Sequence, residues 1–505
     1  MRILFSFLLL AATGCASASK SPESVGLSEL VAATKHAGTI PKTFGSGKSA
    51  YSVAVHSAGL APLLKEKYDD ADKAAVRRAL GTALDFSLDS RGLARAADRV
   101  DEKANDPTHY DAVWVRDSLW VYLGLKSEDA DAAAAKKLLL TLSDYFSSPA
   151  QSARFDAVID NPLVLKAADG AMQAVHIRFD RNSPTFADVQ ENGKPQAWNH
   201  KQNDALGLFV DLFCRAVLSG EVTDAELTPE RKAMIGRFAK YFAAVKFEQM
   251  SDAGSWEEIE RVNSSSIGLV ISGLERLVAV REKFPDVKIA PLNAMIERGY
   301  KKLFKQLEAG GESPGYAPED SHYRTSDAAL LNLIFPAKLS QFRIAHFRAI
   351  LKAVAPLVGE VGVKRYIGDS YQSGNFWFGM GRTDDTSSEQ SFTDRGSKFI
   401  AGSEAQWFFD SWLAVALGVL AKRYPKATFG EDIAKHLNRA LAQVTGNPSG
   451  EAVLGADGRP VPTKSLPESY NTVVDTKSGD RVYAPSPITP LNWAKAALRL
   501  ALSAD

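Results

Sequence analysis

Cysteine is nearly absent from this chain of 505 residues, which holds two, Cys15 and Cys214. No disulfide framework can be built from them, and if Cys15 carries lipid no internal disulfide is possible at all. Cys214 follows Phe213 in an apolar helical stripe and reads as a small core residue. Net charge is missing as well: sixty Lys and Arg balance sixty Asp and Glu. No broad basic field therefore recommends nucleic acid or anionic lipid as a partner. The eight histidines include no HxH or HxxxH pair, so a metal site is unsupported and no cofactor is expected. Strand-like alternation is scarce, Val175 to Asp180 being the best short case, and the first apolar run, Ile3 to Ala12, is too short to span a bilayer.

That run follows Arg2 and leads into Ala-Thr-Gly-Cys, the pattern of a secretory signal. A cysteine after small residues at its end looks like a bacterial lipobox, with Cys15 lipidated as the mature N-terminus. A simple secretory peptide cut nearby is the alternative. Either way the protein is expected outside the cytoplasm, and under the first reading the lipid is its one link to a bacterial membrane, on the periplasmic side or at the cell surface. Residues 1–20 then form the signal and the start of a tether, and 21–50, rich in Ser, Gly, Lys and Thr, form the tether and an irregular lead-in.

From Tyr51 to the end the helical period dominates. Apolar stripes predict helices over Asp72 to Leu88, Asp129 to Phe146, Asp204 to Leu218, Pro229 to Phe247, Ser264 to Phe284 and Pro291 to Leu307. Others are predicted over Phe342 to Val358, Glu404 to Tyr424, Glu431 to Val444 and Pro490 to Leu502. Long polar loops holding many of the Gly, Pro and Trp residues separate them, and loops of that length in a compact domain usually have a function. One all-α domain over 51–505, a monomer, is the simplest architecture.

Four stretches carry chemistry. In Gly254 to Leu277, Trp256 and the adjacent Glu257 and Glu258 precede a helix whose first amides Ser264 to Ser266 could cap. Two neighbouring carboxylates repel and an indole removes water, so one of the pair should keep its proton near neutral pH; a solvated Glu-rich loop is the plain alternative. In His109 to Leu125, Arg116 and Asp117 follow Trp114, which suits a sugar, although a buried structural ion pair would read the same. In Ala197 to Phe213, Asp204 reads best as a helix cap, and Trp198 offers a flat face for a pyranose ring. In Lys464 to Leu502, Glu468 stands in a Pro-Glu loop ahead of the last helix. Paired with Glu257 it becomes the second carboxylate that glycoside hydrolysis requires.

The series WVRDS, QNDALGL, WEE and LPESY, with the terminal LNWAKAALRLAL helix, resembles glycoside hydrolase family 15, the glucoamylase-like enzymes. It is also similar to the N-terminal region of the phosphorylase kinase α and β regulatory subunits, which share the HIRFD and TSDAALLNLIFP character seen here. The resemblance runs from about Tyr110 to Leu502. It implies an α/α toroid of six inner and six outer helices and an inverting, exo-acting α-glucosidase that releases β-glucose from α-linked gluco-oligosaccharides. Position by position it implies Glu257 as general acid and Glu468 as general base. Arg116 and Asp117 would hold the non-reducing sugar, with Trp114, Trp256 and Glu258 lining the pocket, Arg365 as a further contact and Trp407 as a subsite aromatic. Glu404, in GSEAQWFF, is a rival for the base and ranks below Glu468. The polar stretch around Glu468 suits an ionised carboxylate. Trp120, Trp412 and Trp493 fall at core positions of their helices. Other α-glucosides such as trehalose or dextran-type sugars are alternative substrates, and a non-catalytic carbohydrate-binding or regulatory protein is the rival outside the enzymes.

Overall fold

The computed structural model describes residues 24–98, 109–379 and 388–503. In chain order its helices begin with α1 Leu27–Ala37, α2 Asp70–Leu80, α3 Val115–Lys126, α4 Ala132–Ser147 and α5 Pro149–Asp160. The short α6 Gly170–Gln173 precedes α7 Asn203–Ser219, α8 Pro229–Ala244, α9 Ser264–Lys283 and α10 Asn293–Glu308. Then come α11 Ile344–Val354, α12 Glu389–Ser397, α13 Phe409–Arg423, α14 Ile433–Ala442 and α15 Asn492–Ser503.

Helices α3, α7 and α9 pack side by side. Next to α9 lies the 3-10 segment Ala328–Leu333, which touches α13; α13 packs on α15, and α15 returns to α3. These six elements close a ring. Between them in sequence come α2, α4, α8, α10, α11 and α14, which pack outside it. The chain is therefore an all-α toroid of six inner and six outer elements. Side-chain chemistry decides which helix goes where. The inner α7 is buried on nearly all sides, whereas the outer α10 buries Ile296, Tyr300 and Leu303 and turns its lysines outward. The inner ring is tight. A Cβ on Gly207 of α7 would lie 2.6 Å from the amide nitrogen of Val270 on α9, and one on Gly273 would lie 3.0 Å from the Gly207 carbonyl oxygen.

The fold departs from the sequence expectation where α5 and α12 form without having been expected, and in three further places. The lead-in is ordered within residues 24–50: α1 is followed by strand Ile40–Phe44, which pairs antiparallel with Tyr51–Val55. Leu30 and Val31 give α1 an apolar face, which covers Val473, Val482 and Ala484 on a hairpin of Ser469–Asp475 and Asp480–Pro485. That hairpin is the second departure, since its two strands lie where only a polar excursion was expected. The third is the fourth inner element, a single stretch of 3-10 helix in place of a long one.

Candidate active site

Every inner element enters the ring from the same end, and the residues just ahead of these entries converge there. Trp114, Arg116 and Asp117 open α3, Glu257 and Glu258 precede α9, Trp407 precedes α13, Trp493 opens α15, and Glu468 lies beside the entry to α15, its amide donating to the Ile488 carbonyl at 3.0 Å. They border a cavity of about 670 Å³, open mouth included, and all ten residues expected at the site from sequence line it. In a ring of six, α9 and α15 are three places apart. Glu257 and Glu468 therefore arrive from opposite sides.

Glu257 closes a 3-10 turn, Gly254–Trp256, with φ 56° and ψ 46°. The left-handed region costs a side-chain-bearing residue about 1–2 kcal/mol, and here it sends two adjacent carboxylates to different partners. Glu257 accepts from Arg116 Nη1 at 2.8 Å and from Trp198 Nε1 at 3.0 Å. Burial, the dominant influence, raises its pKa, against the opposing pull of Arg116 and Arg178. Glu258 is 1% exposed. It accepts from Tyr366 Oη at 2.7 Å, Arg365 Nη2 at 2.8 Å, Arg395 Nη2 at 3.3 Å and Arg324 Nη2 at 3.4 Å. Burial opposes ionisation there, and the surrounding guanidinium groups outweigh it and hold the carboxyl below its ordinary range. Glu258 thus ties the Arg324 and Arg365 loops and α12 together as well as lining the cavity.

Across the ring Glu468 is 3% exposed. Tyr110 Oη donates to Oε1 and Gln372 Nε2 to Oε2, each at 2.5 Å. Burial nonetheless pushes its pKa up to about 7. This corrects the expectation that a polar stretch around Glu468 suits an ionised carboxylate: the polar residues after Glu468 become strand, and the strand is buried. The rival Glu404 lies outside the cavity lining, engaged by Lys364 Nζ at 2.9 Å and the Gly368 amide at 3.0 Å. Asp117 faces the cavity from α3, and desolvation raises it to about 7.

Several roles differ from those read in the sequence. Asp204 does not cap its helix; its carboxylate takes Arg116 Nε at 2.7 Å and Ser255 Oγ at 3.0 Å. Arg116 also donates to Gln202 and to the Gly254 carbonyl, so only Nη1 of its donor fork reaches Glu257 and the rest is held by Asp204, Gln202 and the turn before Glu257. The serines of α9 do not cap either. The Ser265 amide is met by the Glu312 carboxyl, at 3.1 Å to Oε2, and the Ser264 and Ser265 hydroxyls donate to Gly311 and Glu312. Trp198 does not offer a bare face, because Arg178 Cζ lies 4.3 Å from its ring centroid. Arg365 is framed by Trp256, Tyr371 and Trp407, with Cζ 5.5, 4.9 and 5.0 Å from their centroids. Trp493, read as core, packs on Trp120 and Trp412 and also reaches the cavity.

Sequence reasoning missed Tyr110, Tyr371, Gln372 and Arg178. One structural signal marks two of their neighbourhoods: His109 and Gln372, like Glu257, have positive φ, and such strain gathers at functional sites.

No family model matches the chain. It is 41% identical over 207 residues to the uncharacterized lipoprotein YgeQ of Escherichia coli strain K12, covering 40% of this chain and 78% of YgeQ. It is also 41% identical over 85 residues to the protein YgeP of the same strain, covering 17% of this chain and 86% of YgeP. Among solved structures, a wild-type glycosidase superposes with TM-score 0.53 at 18% identity, over 86% of this chain and 98% of the other. A glucoamylase from Saccharomycopsis fibuligera superposes with TM-score 0.53 at 13% identity, over 87% and 96%. At these identities the likeness is one of fold.

Proposed function

The chain belongs to the family of the Escherichia coli lipoprotein YgeQ, and from that premise we propose that it is an exported glycoside hydrolase releasing glucose, with inversion, from the non-reducing ends of α-linked gluco-oligosaccharides. The observation that carries this reading is the pair of carboxylates, the partly exposed Glu257 and the buried Glu468, entering one aromatic cavity from opposite sides of the toroid. Inversion needs an acid on one face of the anomeric carbon and a base with its water on the other, about 6.5–9.5 Å apart. The glycosidase and glucoamylase folds among its structural neighbours support the same class.

In this mechanism Glu257 gives its proton to the glycosidic oxygen as the bond to the anomeric carbon breaks. Glu468 takes a proton from the water that attacks the opposite face. Burial favours the protonated acid, and Arg116 can pair with the carboxylate that the transfer leaves behind. Tyr110 and Gln372 donate to Glu468 and favour its ionised form, the one a base needs. Asp117 accepts from sugar hydroxyls, and the aromatic walls receive the ring's apolar faces.

Export and anchoring follow the same reading. Cys15, outside the described residues, is the proposed lipidation site, and YgeQ is itself a lipoprotein by name. Among the described residues no helix is long and apolar enough to cross a membrane. Cys15→Ser should move the protein from the membrane pellet to the soluble fraction; retention in the pellet would argue against the anchor.

The deciding experiment is proton NMR of the folded protein with maltose, isomaltose, trehalose and maltoheptaose in separate tubes. Early β-glucose is the expected signal, and the tube in which it grows fastest names the linkage. With maltoheptaose, whose leaving group is a maltosaccharide and not glucose, early α-glucose would overturn inversion, and no cleavage of any sugar by folded protein would overturn the hydrolase reading for these substrates.

A further inference from the structure

The reaction above has no task for Arg178, a buried guanidinium beside the site. It is 2% exposed, on a two-residue strand that pairs with Val113–Trp114 in antiparallel register. Its Cζ lies 4.8 Å from the Trp114 ring centroid and 4.3 Å from that of Trp198, and the two indoles meet edge to face at 5.3 Å. Its Nη2 donates to Gln196 Oε1 at 2.5 Å. Arg178 is absent from the cavity lining, whereas Trp198, under it, donates its indole N–H to Glu257 Oε2 at 3.0 Å.

A cation over an indole face draws on the ring's π-electrons. The N–H at the ring edge becomes a stronger donor, and a stronger donor favours the ionised form of the carboxylate that accepts it. The positive charge itself acts in the same direction through a buried, low-dielectric path. The other charged groups facing Glu257 are Arg116 and Asp117 from α3, Asp204 behind Arg116 at the start of α7, and Glu258 on its own loop. Arg116 is already divided between Asp204 and Glu257. Arg178 is a second cation on the acid, coupled to it through a ring.

We propose that Arg178 is a positioning residue that sets the proton affinity of Glu257 through Trp198 without touching substrate. It keeps the acid from holding its proton too tightly in a buried site. The catalytic consequence rests on the reading of Glu257 as general acid; the coupling itself does not.

The test is a pH titration of the Trp198 indole N–H in protein labelled with 15N-tryptophan, the signal being assigned by its loss in Trp198→Phe. In Arg178→Met the midpoint should move up by about half a pH unit, roughly a threefold gain in proton affinity. Arg178→Lys, which keeps the charge, should stay near the wild-type midpoint. Arg178→Gln repeats the neutral case should the methionine variant not fold. In the hydrolase, the alkaline limb of kcat/KM should move up with the midpoint, because an acid that keeps its proton works to higher pH. A merely structural role would lower kcat and leave both pH values in place. Unchanged midpoints in the neutral variants overturn the proposal. A shifted midpoint in a protein that cleaves no sugar overturns only the hydrolase reading.

Discussion

Tyr110 and Gln372 each place one donor on one oxygen of Glu468, and both favour the ionised form against a burial effect that lifts the carboxyl to about 7. A base must be ionised to work, so the acid limb of kcat/KM should fall near pH 7. Tyr110→Phe removes a donor to the carboxylate and should carry that limb to higher pH; a limb that stays in place would remove Glu468 from the base's role. Glu257→Gln and Glu468→Gln should each lower kcat by about 10²–10⁴-fold, with circular dichroism and maltose binding little changed. Glu404→Gln, whose carboxylate is spent on Lys364 and Gly368, should leave turnover close to wild type. The carboxylates were legible because two adjacent glutamates after a tryptophan, and a glutamate in a Pro-Glu loop before a terminal helix, are local patterns. Arg178 and Tyr110 were not. Each acts on a residue far along the chain, and one sequence carries no mark of such a pairing.

Elements were legible wherever one apolar face repeats every three or four residues, as in α7, α9 and α10. The failures have separate causes. In α15, Trp493 obeys the helical period and so looks like core, yet at the helix start the same face borders the cavity. The segment Ala328–Leu333 is apolar without a period long enough to show that it stops after six residues. Strand Ser469–Asp475 is buried at every position, so its alternation is hidden. Between α7 and α9 the contact is set by glycine. Gly207→Ala would put a methyl 2.6 Å from the Val270 amide nitrogen. The gain in helix propensity of about 1 kcal/mol is outweighed by overpacking against backbone, which costs about 1–3 kcal/mol and more where nothing can move aside. Urea denaturation should show a net loss; a gain in stability would mean that the two helices can separate.

At the scale of the whole molecule, buried carboxylates give stability a definite pH course. Asp117, Asp252 and Glu468 are all lifted to about 7, chiefly by burial. A carboxyl whose folded pKa is raised stabilises the fold fully below its unfolded value near 4 and loses that contribution as pH rises toward 7. Glu258 is shifted the other way; its contribution is present above the unfolded value and is lost as pH falls below it. Thermal unfolding should therefore show the highest Tm near pH 4–5 and a decline toward pH 8, and a Tm that climbs from pH 5 to 8 would contradict this balance.

The ring is closed by α15 against α3, and these two helices lie about 370 residues apart in the chain. At about 5–20 residues per second of synthesis that interval lasts tens of seconds, during which α3 lacks α15 on one side. A nascent chain of this kind cannot complete its toroid behind the ribosome. Its ring stays open until the twelve residues of α15 have been made.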